Sequence, residues 1–291
     1  MKTACTTATD PDVKEEELVK TLNRYSSVIV AFSGGVDSTY LAFVANRELG
    51  SDALAVTGVS PSVAAEHRDR AIRIATEHGL NHLTLATDEM SDVNYVKNDS
   101  RRCYYCKSEL YGRLRSLADM HAIEVIVDGT NADDLGDHRP GRQAAEEFAV
   151  SSPLADIGFS KTDIRELSRR HGLETWDIPA SPCLASRIQY GTPVTIEKLG
   201  KVEQGEAFLR SLGFREFRVR SHGDLARLEF ARSELKRAFG MASDGEFGDT
   251  FRSIGFRYVT IDMDGFESGS MNRSLSDRQQ QWGTGTSDDE R

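Results

Sequence analysis

The chain has 291 residues, 38% hydrophobic and 28% charged, with 24 Gly against 7 Pro, which allows a sizeable core and excludes fibrous repeats and wholesale disorder. Lys and Arg number 36 against 46 Asp and Glu, and the net charge of −10 disfavours nucleic acid or anionic lipid as a partner of the whole surface. No apolar run approaches the roughly 20 residues of a membrane span, and the opening MKTACTTATDPDVKEEE lacks the apolar core of a signal peptide. The expected location is cytoplasmic. Four cysteines are too few for a disulfide scaffold, and in a reducing compartment clustered cysteines point to metal or redox chemistry.

Residues 1–10 read as a flexible tail, after which Val13, Leu18, Leu22 and Tyr25 recur at helical spacing. SSVIVAF (26–32) is a short β-branched run, followed by a glycine loop and the helical STYLAFVANREL, with Gly50 as its C-cap. The pattern repeats with strand ALAVTGV (53–59), a helix over 64–78, and strand HLTLAT (82–87). A helix through YYCKSELYGRLRSLADMH then precedes strand IEVIVDG (123–129). Wholly apolar strands alternating with helices imply an α/β fold with a doubly wound parallel sheet over residues 11–189. From 190 to 263 the rhythm changes to a helix (TIEKLGKVEQGEAFLRSLG) and the close strands FREFRVRS, DLARLEF and RYVTIDM, a smaller α+β domain. Residues 264–291, rich in Ser, Gly and Asp, read as a disordered tail.

The sharpest motif is Ser33-Gly34-Gly35-Val36-Asp37-Ser38, between the first strand and a helix. Paired glycines let backbone approach an anion, and the N–H groups and positive dipole end of the helix favour phosphate there. Ser33 and Ser38 add hydroxyls, and Asp37, repelled by bare phosphate, calls for a Mg²⁺ bridging carboxylate and phosphates. The motif is neither GxxxxGK[ST] nor GxGxxG. SGGVDS resembles the PP-loop of the N-type ATP pyrophosphatases, which cleave ATP between the α and β phosphates and transfer AMP to an acceptor oxygen. Gly129, Thr130 and Asn131, opening GTNADD at the carboxyl end of a later strand, resemble the second nucleotide-side motif of that superfamily, at the edge where open α/β sheets bind ligands. The competing reading is an Asn/Asp-rich turn without a ligand.

Cys103 and Cys106 form a CxxC pair in RRCYYCK, Cys183 stands in SPCLASR, and Cys5 lies in the tail. Four readings stay open from the residues alone. They are a structural zinc completed by Cys5 or a histidine, a redox pair, plain buried cysteines, and a 4Fe-4S cluster on three thiolates with one iron open. Arg101, Arg102, Lys107 and Arg187 would offset the negative charge of such a cluster.

SGGVDSTYLAF, RRCYYCKSELY, DGTNADDLGDHRPGRQAA, SPLADIGFSKTDIREL, SPCLASRI and FRVRSHGDLARLE together resemble the LarE family over roughly residues 12–262. These are ATP-dependent sulfur-inserting enzymes of nickel-pincer nucleotide biosynthesis. The resemblance implies a pyridinium dicarboxylate mononucleotide substrate, adenylated with MgATP and converted to a thiocarboxylate. Some members sacrifice one cysteine as the sulfur source; others carry a 4Fe-4S cluster fed by a sulfide donor. Cys183 matches the sulfur-donating position, and the added Cys103 and Cys106 make this chain resemble the cluster type. The resemblance further implies a homo-oligomer, Arg218 and Arg220 as a clamp for the mononucleotide phosphate, and Glu206 and Glu229 as acidic positions near the substrate that hold a metal. Exposed charge on that strand and salt bridges between the glutamates and arginines are the plainer readings. Two other functions stay open: a PP-loop tRNA thiolase, against which the acidic surface argues, and a zinc-stabilised protein that binds ATP without turnover.

Overall fold

The computed structural model describes residues 10–136, 140–179, 182–243 and 245–267. In chain order the elements are α1 (Pro11–Leu22), β1 (Val28–Ala31), α2 (Val36–Leu49), β2 (Ala53–Val59), α3 (Ala65–Glu77), β3 (His82–Ala86), α4 (Val93–Val96), α5 (Arg102–His121) and β4 (Val125–Asp128). There follow α6 (Pro140–Glu147), α7 (Pro153–Ile157), α8 (Lys161–Arg170), α9 (Ile196–Ser211), β5 (Phe217–His222), β6 (Leu225–Phe230), α10 (Leu235–Ala242), α11 (Glu246–Ile254) and β7 (Tyr258–Ile261). Two compact units result: Met1–Val59 with Ala65–Thr87 and Lys107–Ala180, and Ser60–Ala64 with Asp88–Cys106 and Ser181–Arg291. Among the described residues no helix is long and apolar enough to cross a membrane.

The first unit is built on a four-stranded sheet, order β3-β2-β1-β4, parallel throughout; Val28 of β1 lies in register with Ala53 on one side and Val125 on the other. Val28, Ile29 and Val30 are all buried, as expected of a strand covered on both faces. They join a core with Leu18 and Leu22 of α1, Tyr40, Leu41 and Val44 of α2, Ile74 of α3, Leu154 of α7, and Ile164 and Leu167 of α8. Each such side chain contributes about 1.5–3 kcal/mol on leaving water. The chain steps outward from β1 to β2 to β3 and then returns to β4 on the other side of β1. That reversal places a crevice at the carboxyl ends of β1 and β4, and the SGGVDS and GTN segments are the two turns that leave those ends.

The α/β architecture expected from the sequence is the one found. Helices α6, α7 and α8, and later α10 and α11, lie in stretches the apolar pattern left unassigned. Asp10 caps α1, its carboxylate accepting the Asp12 N–H at 3.0 Å, and Ser160 and Asp163 form a reciprocal capping box on α8. Lys14 Nζ joins the two helices through Asp163 Oδ2 at 2.6 Å.

The second unit carries its own three-stranded sheet, order β5-β6-β7, with β5 and β6 antiparallel and β7 parallel to β6. Its core is aromatic: Phe214, Phe217, Phe230, Phe247, Phe251 and Phe256, with Phe214 and Phe230 rings 4.6 Å apart between centroids. After β7 the chain turns back, Phe266 donating its N–H to Phe230 O at 2.7 Å. Of the expected tails, 1–10 and 264–291, residues 1–9 with Cys5 and residues 268–291 lie outside the described residues, while Asp10 and residues 264–267 are described.

Candidate functional site

The SGGVDS loop is shaped by two glycines. Phe32 continues the ladder past β1, donating to Val56 O at 2.8 Å, and the chain then turns at Gly34, whose φ is +67°. A Cβ there would meet Ala71 Cα at 3.0 Å, so the position needs both the left-handed backbone and the missing side chain. Gly35 is the N-cap of α2 and makes no side-chain cap, which leaves the first N–H groups of the helix for a ligand. Ser33 and Ser38 brace the loop: Ser33 N–H donates to Ser38 Oγ at 3.2 Å, the two hydroxyls are 3.0 Å apart, and Ser38 Oγ donates to Gly35 O at 3.3 Å.

Asp37 lies in the first turn of α2. One carboxylate oxygen is ion-paired with Lys161 Nζ; the other, Oδ1, is buried without a hydrogen-bond partner. Burial raises its pKa above the ordinary carboxylate value, Asp134 adds to the rise and Lys161 opposes it. Lys161 opens α8, and its backbone N–H donates to Asp133 Oδ2 at 2.7 Å, so the β4 turn, α8 and the phosphate loop converge on one carboxylate. An orphan acceptor of this kind suits a divalent cation.

The β4 side is equally tight. A Cβ on Gly129 would lie 2.8 Å from Ser38 N, 3.0 Å from Ser38 Cα and 3.1 Å from Asp37 C. Before it, the buried Asp128 accepts from Tyr111 Oη at 2.7 Å, Ser152 Oγ at 2.8 Å and Thr130 N at 3.1 Å. Burial opposes its ionisation, but the Lys107 charge and these donors win and hold its pKa below the ordinary value. Asn131 is fully buried; its Oδ1 accepts the Asp133 N–H at 3.0 Å and its Nδ2 has no partner. A donor and an acceptor are thus left unspent at this crevice.

The second unit holds the thiols. Cys103 and Cys106 fall in the first turns of α5, and Cys183 caps a 3-10 turn, Leu184–Arg187. Cys103 is exposed and the other two half-buried, packed against a cluster with Tyr95, Leu184, Leu199 and Val202. Arg102 interacts electrostatically with Cys103 and Cys183, Tyr95 with Cys183 and Cys106, and Tyr190 with Cys103 and Cys183. Burial raises both tyrosine pKa values, and the neighbouring thiols add to it. Three thiols in one unit have the donor chemistry of an iron–sulfur group, and two of them, Cys103 and Cys183, interact with the Arg102 guanidinium. Among the described residues no three Cys, His, Asp or Glu side chains are gathered closely enough to hold a metal ion.

Arg187, 1% exposed, fixes the Cys183 loop from below: its NH1 donates to Cys183 O at 3.1 Å while Nε and NH2 grip Glu206 at 2.8 and 3.3 Å. Arg218 and Arg220 alternate on β5, and both are buried rather than displayed on an open strand face. Arg220 is held by Glu229 at 2.9 Å, and Glu229, itself fully buried, also binds Arg227 at 2.8 Å. Glu206 and Glu229 thus direct oxygens at guanidinium groups. Arg218 sits over the Phe266 ring at 4.6 Å, and burial, with Arg187 adding, pushes its pKa down to about 10.

No protein-family model matches the chain. It is 44% identical over 263 residues to an uncharacterised protein of Synechocystis sp., covering 90% of this chain and 98% of that one. With an uncharacterised protein of Methanocaldococcus jannaschii the identity is 30% over 256 residues, 88% of this chain and 97% of the other. With the pyridinium-3,5-bisthiocarboxylic acid mononucleotide synthase of Lactiplantibacillus plantarum it is 38% over 267 residues, 91% of this chain and 96% of the synthase. The chain belongs to the LarE family. In this LarE-family chain the residues that sequence reasoning passed over are Lys161, Asp128 and Asn98. Lys161 stood inside a quoted motif, SPLADIGFSKTDIREL, with nothing local to distinguish it from a helix-surface lysine. Asp128 closes an apolar strand, and that single charge ending VIVD was the available signal.

Proposed function

We propose that this chain adenylates a carboxylate of pyridinium-3,5-biscarboxylic acid mononucleotide and replaces it with a thiocarboxylate, using sulfide delivered at Cys103, Cys106 and Cys183 in nickel-pincer nucleotide biosynthesis. The observation that carries the reading is the buried, partnerless Oδ1 of Asp37 beside the Gly34–Gly35 turn, in a chain that aligns nearly end to end with a synthase of the bisthiocarboxylic product. The N–H groups opening α2 and the Ser33 and Ser38 hydroxyls bind the β and γ phosphates of ATP. Asp37 would hold a Mg²⁺, which when bound neutralises phosphate charge and orients the departing pyrophosphate. Lys161, paired with Asp37, would place a second positive charge beside the phosphates, while Thr130 and Asn131 line the nucleotide side.

A substrate carboxylate oxygen attacks the α-phosphorus, the bond to the β-phosphate oxygen breaks and pyrophosphate leaves. The acyl adenylate is activated because AMP leaves with its charge spread over phosphate oxygens. Sulfide then attacks the acyl carbon and AMP departs with the original carboxylate oxygen. Cys103, Cys106 and Cys183 are the residues that would hold a 4Fe-4S cluster, which when bound would supply the sulfide. Arg218 takes the mononucleotide phosphate, and Arg220, anchored by Glu229, orients it.

The test is pyrophosphate release by anaerobically prepared protein given MgATP and the pyridinium substrate, with mass spectrometry of the product. Substrate-dependent pyrophosphate and a gain of sulfur in place of oxygen are expected. Each of Cys103→Ala, Cys106→Ala and Cys183→Ala should release pyrophosphate but form no thiocarboxylate. Pyrophosphate release independent of the pyridinium substrate would overturn the reading.

A further inference from the structure

We propose that Arg70 is a positioning residue of the SGGVDS loop: it holds the Gly34 carbonyl so that the Gly34–Gly35 peptide turns its N–H, and not its oxygen, toward the phosphates of ATP. The inference rests on the ATP reading of the function above and gives a role to a residue that lies outside the motif.

Arg70 stands in the second turn of α3, and its Nε donates to Gly34 O at 3.2 Å. Its own helix steadies the guanidinium: NH1 lies 3.7 Å from Glu66 Oε1 one turn back, and the side chain is 12% exposed. The next residue, Ala71, is fully buried against the same glycine, since a Cβ on Gly34 would meet its N, Cα and Cβ at 3.1, 3.0 and 3.1 Å. Two consecutive residues of α3 therefore engage one peptide of the loop, Ala71 by packing and Arg70 by a charge-assisted hydrogen bond.

The direction of that peptide decides how the loop treats an anion. In a trans peptide the C=O and N–H point opposite ways, and the described backbone has no cis bond. With Gly34 O drawn to Arg70, the Gly35 N–H is turned the other way, where its acceptor is Ser33 Oγ at 3.3 Å, a long bond that a phosphate oxygen can replace. The serine bonds that brace the loop engage Ser33 N–H and Gly35 O; the bond that engages Gly34 O is the one from Arg70. Two glycines in a row, the first at φ +67°, leave the peptide between them free to rotate unless it is held. Rotated, it would aim a carbonyl oxygen at the phosphates and turn attraction into repulsion. The guanidinium that prevents this keeps its positive charge at any working pH.

The experiment titrates the full-length protein calorimetrically, in the presence of Mg²⁺, with inorganic pyrophosphate and separately with AMP, and compares wild type, Arg70→Met and Arg70→Lys, with thermal melts alongside. Pyrophosphate should bind Arg70→Met about tenfold more weakly than wild type. Arg70→Lys, which keeps a charged donor for Gly34 O, should stay within about threefold of wild type. AMP, met on the side of Thr130 and Asn131, should bind all three proteins alike. Equal loss of both probes in Arg70→Met would mark a merely structural part in α3, and loss of neither would mark no part at all; either overturns the inference. A lysine variant as weak for pyrophosphate as the methionine one also overturns it. A folded wild type that binds no pyrophosphate overturns the reading of SGGVDS as a phosphate loop, a different failure from those of the variants. Should Arg70→Met fail to melt cooperatively, Arg70→Ala, the better helix former, decides by the same ratio of the two affinities.

Discussion

Gly129→Ala separates contact from conformation at the nucleotide crevice. Gly129 has no left-handed backbone, so alanine there costs nothing in φ; the whole penalty is steric. The new Cβ would stand 2.8, 3.0 and 3.1 Å from Ser38 N, Ser38 Cα and Asp37 C, all backbone atoms of the first turn of α2. Backbone does not rotate out of the way, so that turn must retreat by about half an ångström to reach ordinary van der Waals distance. Overpacking of this order costs about 1–3 kcal/mol, or a fall in melting temperature on the order of 2–4 °C per kcal/mol. The displaced atoms carry Asp37 and the N–H groups proposed to bind phosphate, and misplacement of reacting groups by about 1 Å costs on the order of a hundredfold, so pyrophosphate release should fall roughly tenfold. Gly50→Ala is the matched control at the opposite end of α2: φ is +57° and ψ −122°, outside the left-handed helical region, with nothing within 4 Å, so its penalty is conformational, about 1–3 kcal/mol, with turnover unchanged. Urea melts and a pyrophosphate assay on the two variants decide. Undiminished pyrophosphate release in Gly129→Ala, or equal losses in both, would refute the reasoning.

Asp37→Asn removes the carboxylate without changing shape. Loss of the Lys161 pair and relief of a buried charge nearly offset, so stability should change by less than about 1 kcal/mol while pyrophosphate release drops by about a hundredfold or more; a large stability loss with activity retained would contradict this. Glu229→Gln strips the carboxylate from between Arg220 and Arg227 at a fully buried site and should cost about 3–5 kcal/mol in urea unfolding, and a variant as stable as wild type would show that the pair is not load-sharing. Asp163 has its pKa held below the ordinary 3.8, burial opposing and the Lys14 and Ser160 bonds prevailing. Its stabilisation relative to Asp163→Asn is therefore full above that value and fades as the pH falls through the lower, folded-state value. Urea midpoints of the two proteins should differ more at about pH 7 than at about pH 3, the gap narrowing as the pH falls below 3.8.

The first unit was legible because its signals are local. An apolar β-branched run, two adjacent glycines and a helical stretch are enough to place the phosphate loop, and GTN at the end of the next apolar strand marks the other wall. What local pattern cannot supply is the identity of distant partners. Lys161 reaches Asp37 across 124 positions, and Asn98 binds a carbonyl 94 positions on. The Asn98 bond, with that of Leu184 N–H to Ser62 O, is also among the contacts by which residues 60–64 and 88–106, in the middle of the α/β pattern, gather with the chain after Ser181. Helices α10 and α11 escaped notice because they are short, eight and nine residues, and each carries a glycine, Gly240 and Gly248, whereas the sixteen-residue α9 was legible despite Gly200 and Gly205. The acidic character of Glu206 and Glu229 was readable, but their choice of Arg187, Arg220 and Arg227 depends on which strand and helix faces meet.

The return of the chain after β7 bears on how short a functional version of this protein can be. Arg218 owes its stacked neighbour to Phe266, five residues beyond the end of the last strand at Ile261. A truncation drawn at the strand's edge would keep every element of the sheet and still uncover the guanidinium proposed to take a substrate phosphate. The minimal boundary is set by an aromatic ring in an irregular segment.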